Sequence, residues 1–130
     1  MSVIATGFNT GEAGGSVARL EANLDHLAEL GCTGAEITAT GLDAVVACRL
    51  NAPQVAAVKA AMARFPFAYS MHAPIGINLM DEANAELQMK AALVSMELAA
   101  EIEAPVVVLH PGRCTPRDLV DRRAALMAWE

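Results

Sequence analysis

Aromatic residues make up only 4% of this 130-residue chain: three Phe, one Tyr and one Trp. The apolar fraction is nonetheless 55%, mostly Ala, Val and Leu. That is the composition of a globular α/β or all-α protein and excludes a disordered one. Cysteine is also scarce. Cys32, Cys48 and Cys114 are odd in number and widely spaced, which fits neither a disulfide framework nor a CxxC metal knuckle. Reduced thiols in the cytoplasm are the expected state. Long apolar runs are missing, and none approaches the ~18 residues of a membrane span. The opening "MSVIATGFNT" has no basic region and no long apolar core, so it does not read as a signal peptide. Basic charge is in deficit too. A net charge of −6 gives no global attraction for nucleic acid or anionic lipid, so neither is an expected partner.

What the chain does have is rhythm. Four short apolar runs stand out: "SVIATG" from Ser2, "AEITAT" from Ala35, "FAYSMH" from Phe67 and "PVVVLH" from Pro105. Helical periodicity fills the gaps. Val17, Leu20, Leu24, Leu27 and Leu30 form one stripe, Val55, Val58 and Met62 a second, and Leu87, Ala91, Val94, Leu98 and Ile102 a third. Boundary residues agree. Ser16 and Asn51 suit helix N-caps, Pro53 a first turn and Gly31 a left-handed stop. Thr115, Pro116 and Asp118 resemble the start of a fourth helix running toward Trp129. The expected order is β-α-β-α-β-α-β-α.

The run starts at 2, 35, 67 and 105 are 33, 32 and 38 residues apart, one βα unit each. Runs such as "PVVVLH" and "SVIATG" are apolar at successive positions, which predicts parallel strands buried on both faces. Such units build an open doubly wound sheet or a (β/α)8 barrel. A barrel takes about 250 residues. Four units in one 130-residue domain therefore read as the N-terminal half of a barrel, truncated after the fourth unit. A half-barrel leaves two strand edges free to pair with a second copy.

Both architectures place function where strands end and βα loops begin. His72 ends the third run and His110 the fourth, and a proline follows two residues after the first (Pro74) and one after the second (Pro111). Neighbouring parallel strands lie about 4.8 Å apart, so the two imidazoles are candidate ligands for one divalent cation. His26, inside the first helix, reads as a surface or packing residue. Glu36, a carboxylate in the second strand, needs a partner or a function. It is a candidate proton-transfer group, with a salt bridge to a core-facing Arg or Lys as the alternative. Asn78 in "IGINLM" is a candidate substrate donor or a loop holder. Arg113 and Arg117 can add anion affinity. The loop "NTGEAGGS" at residues 9–16 offers backbone N–H groups at a helix start, but lacks GxGxxG and a P-loop lysine. No cysteine has a histidine at motif spacing, so thiol catalysis is unsupported.

"HAPIGINLMD", the helix "AELQMKAALVSMELAAEIEA" and "PVVVLHPG" together resemble the xylose isomerase-like TIM-barrel superfamily. "LAELGCTGAEITATGLD" resembles the first helix and second strand of its sugar phosphate isomerase/epimerase branch. The superfamily also holds hydroxypyruvate isomerase-like proteins and the endonuclease IV family of apurinic-site nucleases. The resemblance spans nearly the whole chain, as the first half of the family's barrel.

It implies a divalent metal ion (Mn, Mg, Zn or Co) at the C-terminal rim. In the endonuclease IV branch the histidines at these two strand ends are metal ligands, which implies that role for His72 and His110, while many isomerase-like members keep similar histidines near the substrate. Glu36 as the catalytic group, and Asn78 and Arg113 as substrate-binding residues, are expected from their places in the chain. The resemblance implies isomerisation or epimerisation of a sugar or sugar phosphate by the complete barrel, with this chain alone inactive. Metal ligands from later strands would lie past Glu130. The nuclease branch carries a histidine just after the first strand, where this chain has "ATGFNTG". A nuclease, or a non-catalytic half-barrel that assembles through its edges, remains the alternative.

Overall fold

The computed structural model describes residues 4–113. The expected fourth helix, Cys114 and Arg117 fall outside them. A four-stranded parallel sheet runs β1 (Gly7–Asn9), β2 (Gly34–Thr38), β5 (Ala68–His72) and β6 (Val107–Val108), neighbours in that order. Helices α1 (Val17–Glu29), α2 (Ala52–Met62) and α3 (Ala85–Glu101) alternate with the strands. This is the half-barrel arrangement that the run spacing predicts. Between β2 and α2 lies an extra antiparallel hairpin, β3 (Val45–Val46) and β4 (Arg49–Leu50).

The helices form where the apolar stripes fall. Ser16 caps α1, its Oγ accepting from the backbone N–H of Arg19 at 3.2 Å. Leu20, Leu24 and Leu27 point into the core. Each fully buried leucine contributes roughly 1.5–3 kcal/mol over an exposed one. Asn51 holds the N-cap position of α2, with Pro53 in the first turn, but its amide donates to the Asp43 carbonyl at 3.0 Å and makes no cap bond. Val55, Val58 and Met62 are buried as their spacing predicts. On α3 the buried set is Ala92, Val94, Ser95, Leu98 and Ala99, whereas Leu87 at the N-terminal end is 56% exposed.

Strand alternation sorts the sheet into two faces. In-register pairs put Ala35 with Tyr69, Ile37 with Met71, and Met71 with Val107 on one side. These residues pack into the core cluster with Leu20, Leu24, Val58 and Leu98. The opposite side carries Asn9 beside Glu36, Glu36 beside Ser70, Thr38 beside His72, and His72 beside Val108. No helix covers that side among the described residues.

Two expectations are corrected. The first strand begins at Gly7 rather than near Ser2, and Ile4 is 95% exposed. The fourth strand is only two residues long, and Val106 and Val108 are exposed rather than buried on both faces. The reason is common to both. Apolar residues on the open face of an edge strand are covered only when more strands close over them.

Candidate functional site

His72 is the last residue of β5 and His110 lies two residues beyond β6. Their Nε2 atoms stand 3.1 Å apart, with ring centroids at 5.0 Å. The Nδ1 of His72 is 2.8 Å from the Ala73 carbonyl oxygen. A carbonyl only accepts, so Nδ1 carries a proton; Nε2 is then the acceptor facing His110, whose Nε2–H donates across the 3.1 Å contact, a proton that a shared cation would displace. The ring is thereby held in the tautomer a metal ligand needs, with its outer nitrogen fixed by a backbone carbonyl. The 3.1 Å separation also suits two imidazoles sharing one cation, whose bonds run about 2.0–2.1 Å each for zinc. The pair therefore fits a divalent ion as a partial shell. Among the described residues no group of three or more His, Cys, Asp or Glu gathers around one point, so further ligands are needed.

Glu36 projects from β2 onto the same open face. It lies one same-face step below Thr38, the register partner of His72, which is about 6–7 Å down the strand. The salt bridge considered for it is absent among the described residues. Its partner is Asn9, whose Nδ2 donates to Oε1 at 2.6 Å. The Oδ1 of Asn9 accepts from Gly11 N at 2.7 Å and from the Thr38 hydroxyl at 2.5 Å. These two donors fix which end of the amide faces Glu36. Below them a groove of about 850 Å³ opens along Gly34, Glu36, Ala68, Ser70 and Val106. It reaches Asn9 and Glu36 but stops short of the histidines, so Glu36 stands between the groove and the imidazole pair.

Asn9, Thr38 and Ser70, which lie beside Glu36 and His72 on the open face, were not singled out from the sequence. The available signal was alignment of the strand ends. Once "GFN" is set in step with "GAE", Asn9 falls beside Glu36.

The glycine-rich loop serves packing. Gly11 N bonds Asn9 Oδ1, Gly15 N donates to Gly41 O, and Ser16 N donates to Ala13 O at 3.1 Å. Gly41, at φ 77°, lies so close that a β-carbon there would sit 3.2 Å from Gly14 N. Three of the backbone donors that an anion would need are thus already bonded within the protein.

The Asn78 side chain holds its loop. Its Oδ1 accepts from Met80 N at 3.1 Å and Arg113 N at 3.0 Å, and its Nδ2 donates to the Arg113 carbonyl at 3.3 Å. Arg113 contributes its backbone to that contact. Its guanidinium makes no ion pair among the described residues. His26 lies on the surface of α1, 3.7 Å from the Glu29 carboxylate and away from the sheet's open face. No helix among the described residues is long and apolar enough to cross a membrane.

No curated protein and no solved structure gave a significant match. The model of one family, the xylose isomerase-like TIM barrel, matches residues 24–129. That stretch carries both histidine-ended strands, Glu36 and two of the three helices in full. The parallel order of the sheet and the rim position of the histidines agree with it, and the chain belongs to the xylose isomerase-like TIM-barrel family.

Proposed function

We propose that this chain forms the first half of the active rim of a divalent-metal-assisted sugar or sugar phosphate isomerase or epimerase. The observation that carries the reading is the His72–His110 pair, Nε2 to Nε2 at 3.1 Å, on the same open face as a carboxylate held by a neutral amide. His72 and His110 would hold the cation, which when bound polarises a carbonyl and its neighbouring hydroxyl. Glu36 takes the proton from the carbon beside the carbonyl and, in an isomerisation, returns it to the former carbonyl carbon; an epimerisation would need a second acid on the opposite face, supplied by a later strand. Asn9 aims the carboxylate, and Thr38 aims Asn9. The groove below, lined by Ile4, Ala68 and Val106, is where further strands would pack, so the substrate would lie at the rim above Glu36. The exposed guanidinium of Arg113 would meet an anionic end such as a phosphate. Ligands from later strands complete the shell, so this chain alone is inactive in this reading. Its setting is the cytoplasm.

Two features favour this chemistry over phosphodiester hydrolysis. The first strand ends in Asn9, where the nuclease branch would place a histidine, and the chain's charge of −6 repels a polyanion.

The test uses a complete barrel carrying these residues, loaded with Mn²⁺ or Co²⁺ and given a panel of aldoses, ketoses and their phosphates in D₂O. NMR should show deuterium entering at the carbon next to the carbonyl. Glu36→Gln should slow that exchange about 10²- to 10⁴-fold. Cleavage of an abasic-site duplex with no exchange on any sugar would replace this reading with the nuclease one.

A further inference from the structure

We propose that Asn78 is a positioning residue that fixes His110 against His72 by clamping the loop that follows the fourth strand. The inference deepens the cation-site reading and rests on it for its functional meaning. The two histidines are anchored differently. His72 belongs to a five-residue strand paired on both sides, and its ring is held by the Ala73 carbonyl. His110 lies past the two residues of β6, on an edge. The last ladder bond before it is Ala73 N to Val108 O at 2.9 Å. Among the described residues its ring is hydrogen-bonded only to His72. Its place is therefore set by whatever fixes the backbone after it.

That anchor is a single side chain with one neighbouring backbone bond. The Leu79 N–H donates to the Pro111 carbonyl at 3.1 Å. Asn78 brackets Arg113, accepting from its N–H at 3.0 Å and donating to its carbonyl at 3.3 Å. The clamp itself is tied down, because Asn78 N donates to the Gln88 Oε1 of α3 at 2.8 Å. Gly112 lies between the clamped residues at φ 110°, and a β-carbon there would collide with the Asn78 side chain. Residues 111–113 are thus held against the loop that leaves His72. The two strand ends are joined above the sheet as well as within it. Groups that orient a ligand from behind typically change metal affinity 10- to 100-fold when removed.

The experiment takes this chain and four variants: Asn78→Ala, Asn78→Asp, Gly112→Ala and His72→Ala. Circular dichroism melts check folding. Two-dimensional NMR follows the cross-peak between the two imidazole rings, and Co²⁺ alone is titrated by its absorption spectrum. Asn78→Ala and Gly112→Ala should lose the cross-peak and weaken Co²⁺ at least about tenfold. Asn78→Asp keeps both acceptor bonds, to Met80 N and Arg113 N, and should stay within a few fold of the parent. His72→Ala should abolish Co²⁺ binding. A folded Asn78→Ala variant that keeps both the cross-peak and the Co²⁺ affinity would overturn the clamp. If Asn78→Ala does not fold, Gly112→Ala decides by the same criteria. If the parent chain, with only part of the shell, takes up no Co²⁺, the ring cross-peak alone decides the clamp, and the cation reading is tested on the barrel-length protein.

Discussion

The two faces of the sheet are built from alternate residues of the same strands, yet they share almost no chemistry. Toward the helices stand Ala35, Ile37 and Met71, buried and in the core. On the other side, one residue along, stand Glu36, Thr38, Ser70 and His72, half-buried and polar. Successive side chains on a strand point opposite ways, so a strand can carry stability on one face and reactivity on the other. The division predicts that substitutions on the helix face cost stability while leaving the site chemistry alone. Substitutions on the open face should do the reverse.

The largest effect expected is on the open face. Changing His72 and His110 together to alanine should remove the bound divalent ion altogether, read as metal per protein by elemental analysis of the barrel-length protein. Its thermal midpoint without metal should change little, since both side chains sit at strand ends and His110 is exposed. A collapse of folding in that double variant would break the division.

Next comes the helix face. Ile37 and Leu24 are 0% exposed. Ile37→Ala or Leu24→Ala should each cost about 2–5 kcal/mol in urea unfolding, the usual range for emptying a core site. The surviving folded fraction should keep the parent's metal affinity. A lost cation with unchanged stability would reverse the assignment of faces.

A smaller effect sharpens the boundary. The Tyr69 hydroxyl donates to the Met62 carbonyl at 2.8 Å, and burial pushes its pKa up to about 12. The unfolded chain ionises this phenol near pH 10, before the folded one does. Stability from this group is therefore full below about pH 10 and is lost as pH rises toward 12. Tyr69→Phe should cost about 0.5–1.5 kcal/mol at neutral pH through the lost hydrogen bond. It should also flatten the alkaline decline in melts taken across pH 9–12. An unchanged alkaline slope would assign that decline to other groups.

The smallest effect lies on the surface. Lys59 and Glu103 pair at 2.7 Å with both side chains well exposed, and each shifts its partner's pKa in the direction that favours the charged forms. Lys59→Met should leave the melting midpoint within its scatter at physiological salt, because solvent screens such pairs.

The fold was largely legible because its signals were local. Leucines at steps of 3 and 4, Ser16 as a cap and Gly31 at a helix end specify α1 without outside help. The short hairpin β3–β4 was not. Its turn, Ala47–Cys48, takes positive φ at both residues, a conformation normally announced by Asn or Gly. With neither present, "VVACRL" gives no turn signal. The first and fourth strands were misjudged in extent because apolar patterning reports what a residue would bury, and on an open edge the covering partner is elsewhere. At the site, the two histidines were visible because each ends an apolar run and precedes a proline by one or two residues. Their contact was expected from strand spacing alone. Asn9 escaped notice because its value lies in strand register, which no single run reveals.

The central claim is that His72 and His110 share one cation. A crystal of the chain, grown with Zn²⁺ or Co²⁺ and recorded at the metal's absorption edge, tests it most directly. The account predicts one anomalous peak bonded to both Nε2 atoms, on the open face above Glu36. A fully loaded crystal with its peaks elsewhere, and the two imidazoles still hydrogen-bonded to each other, would contradict it.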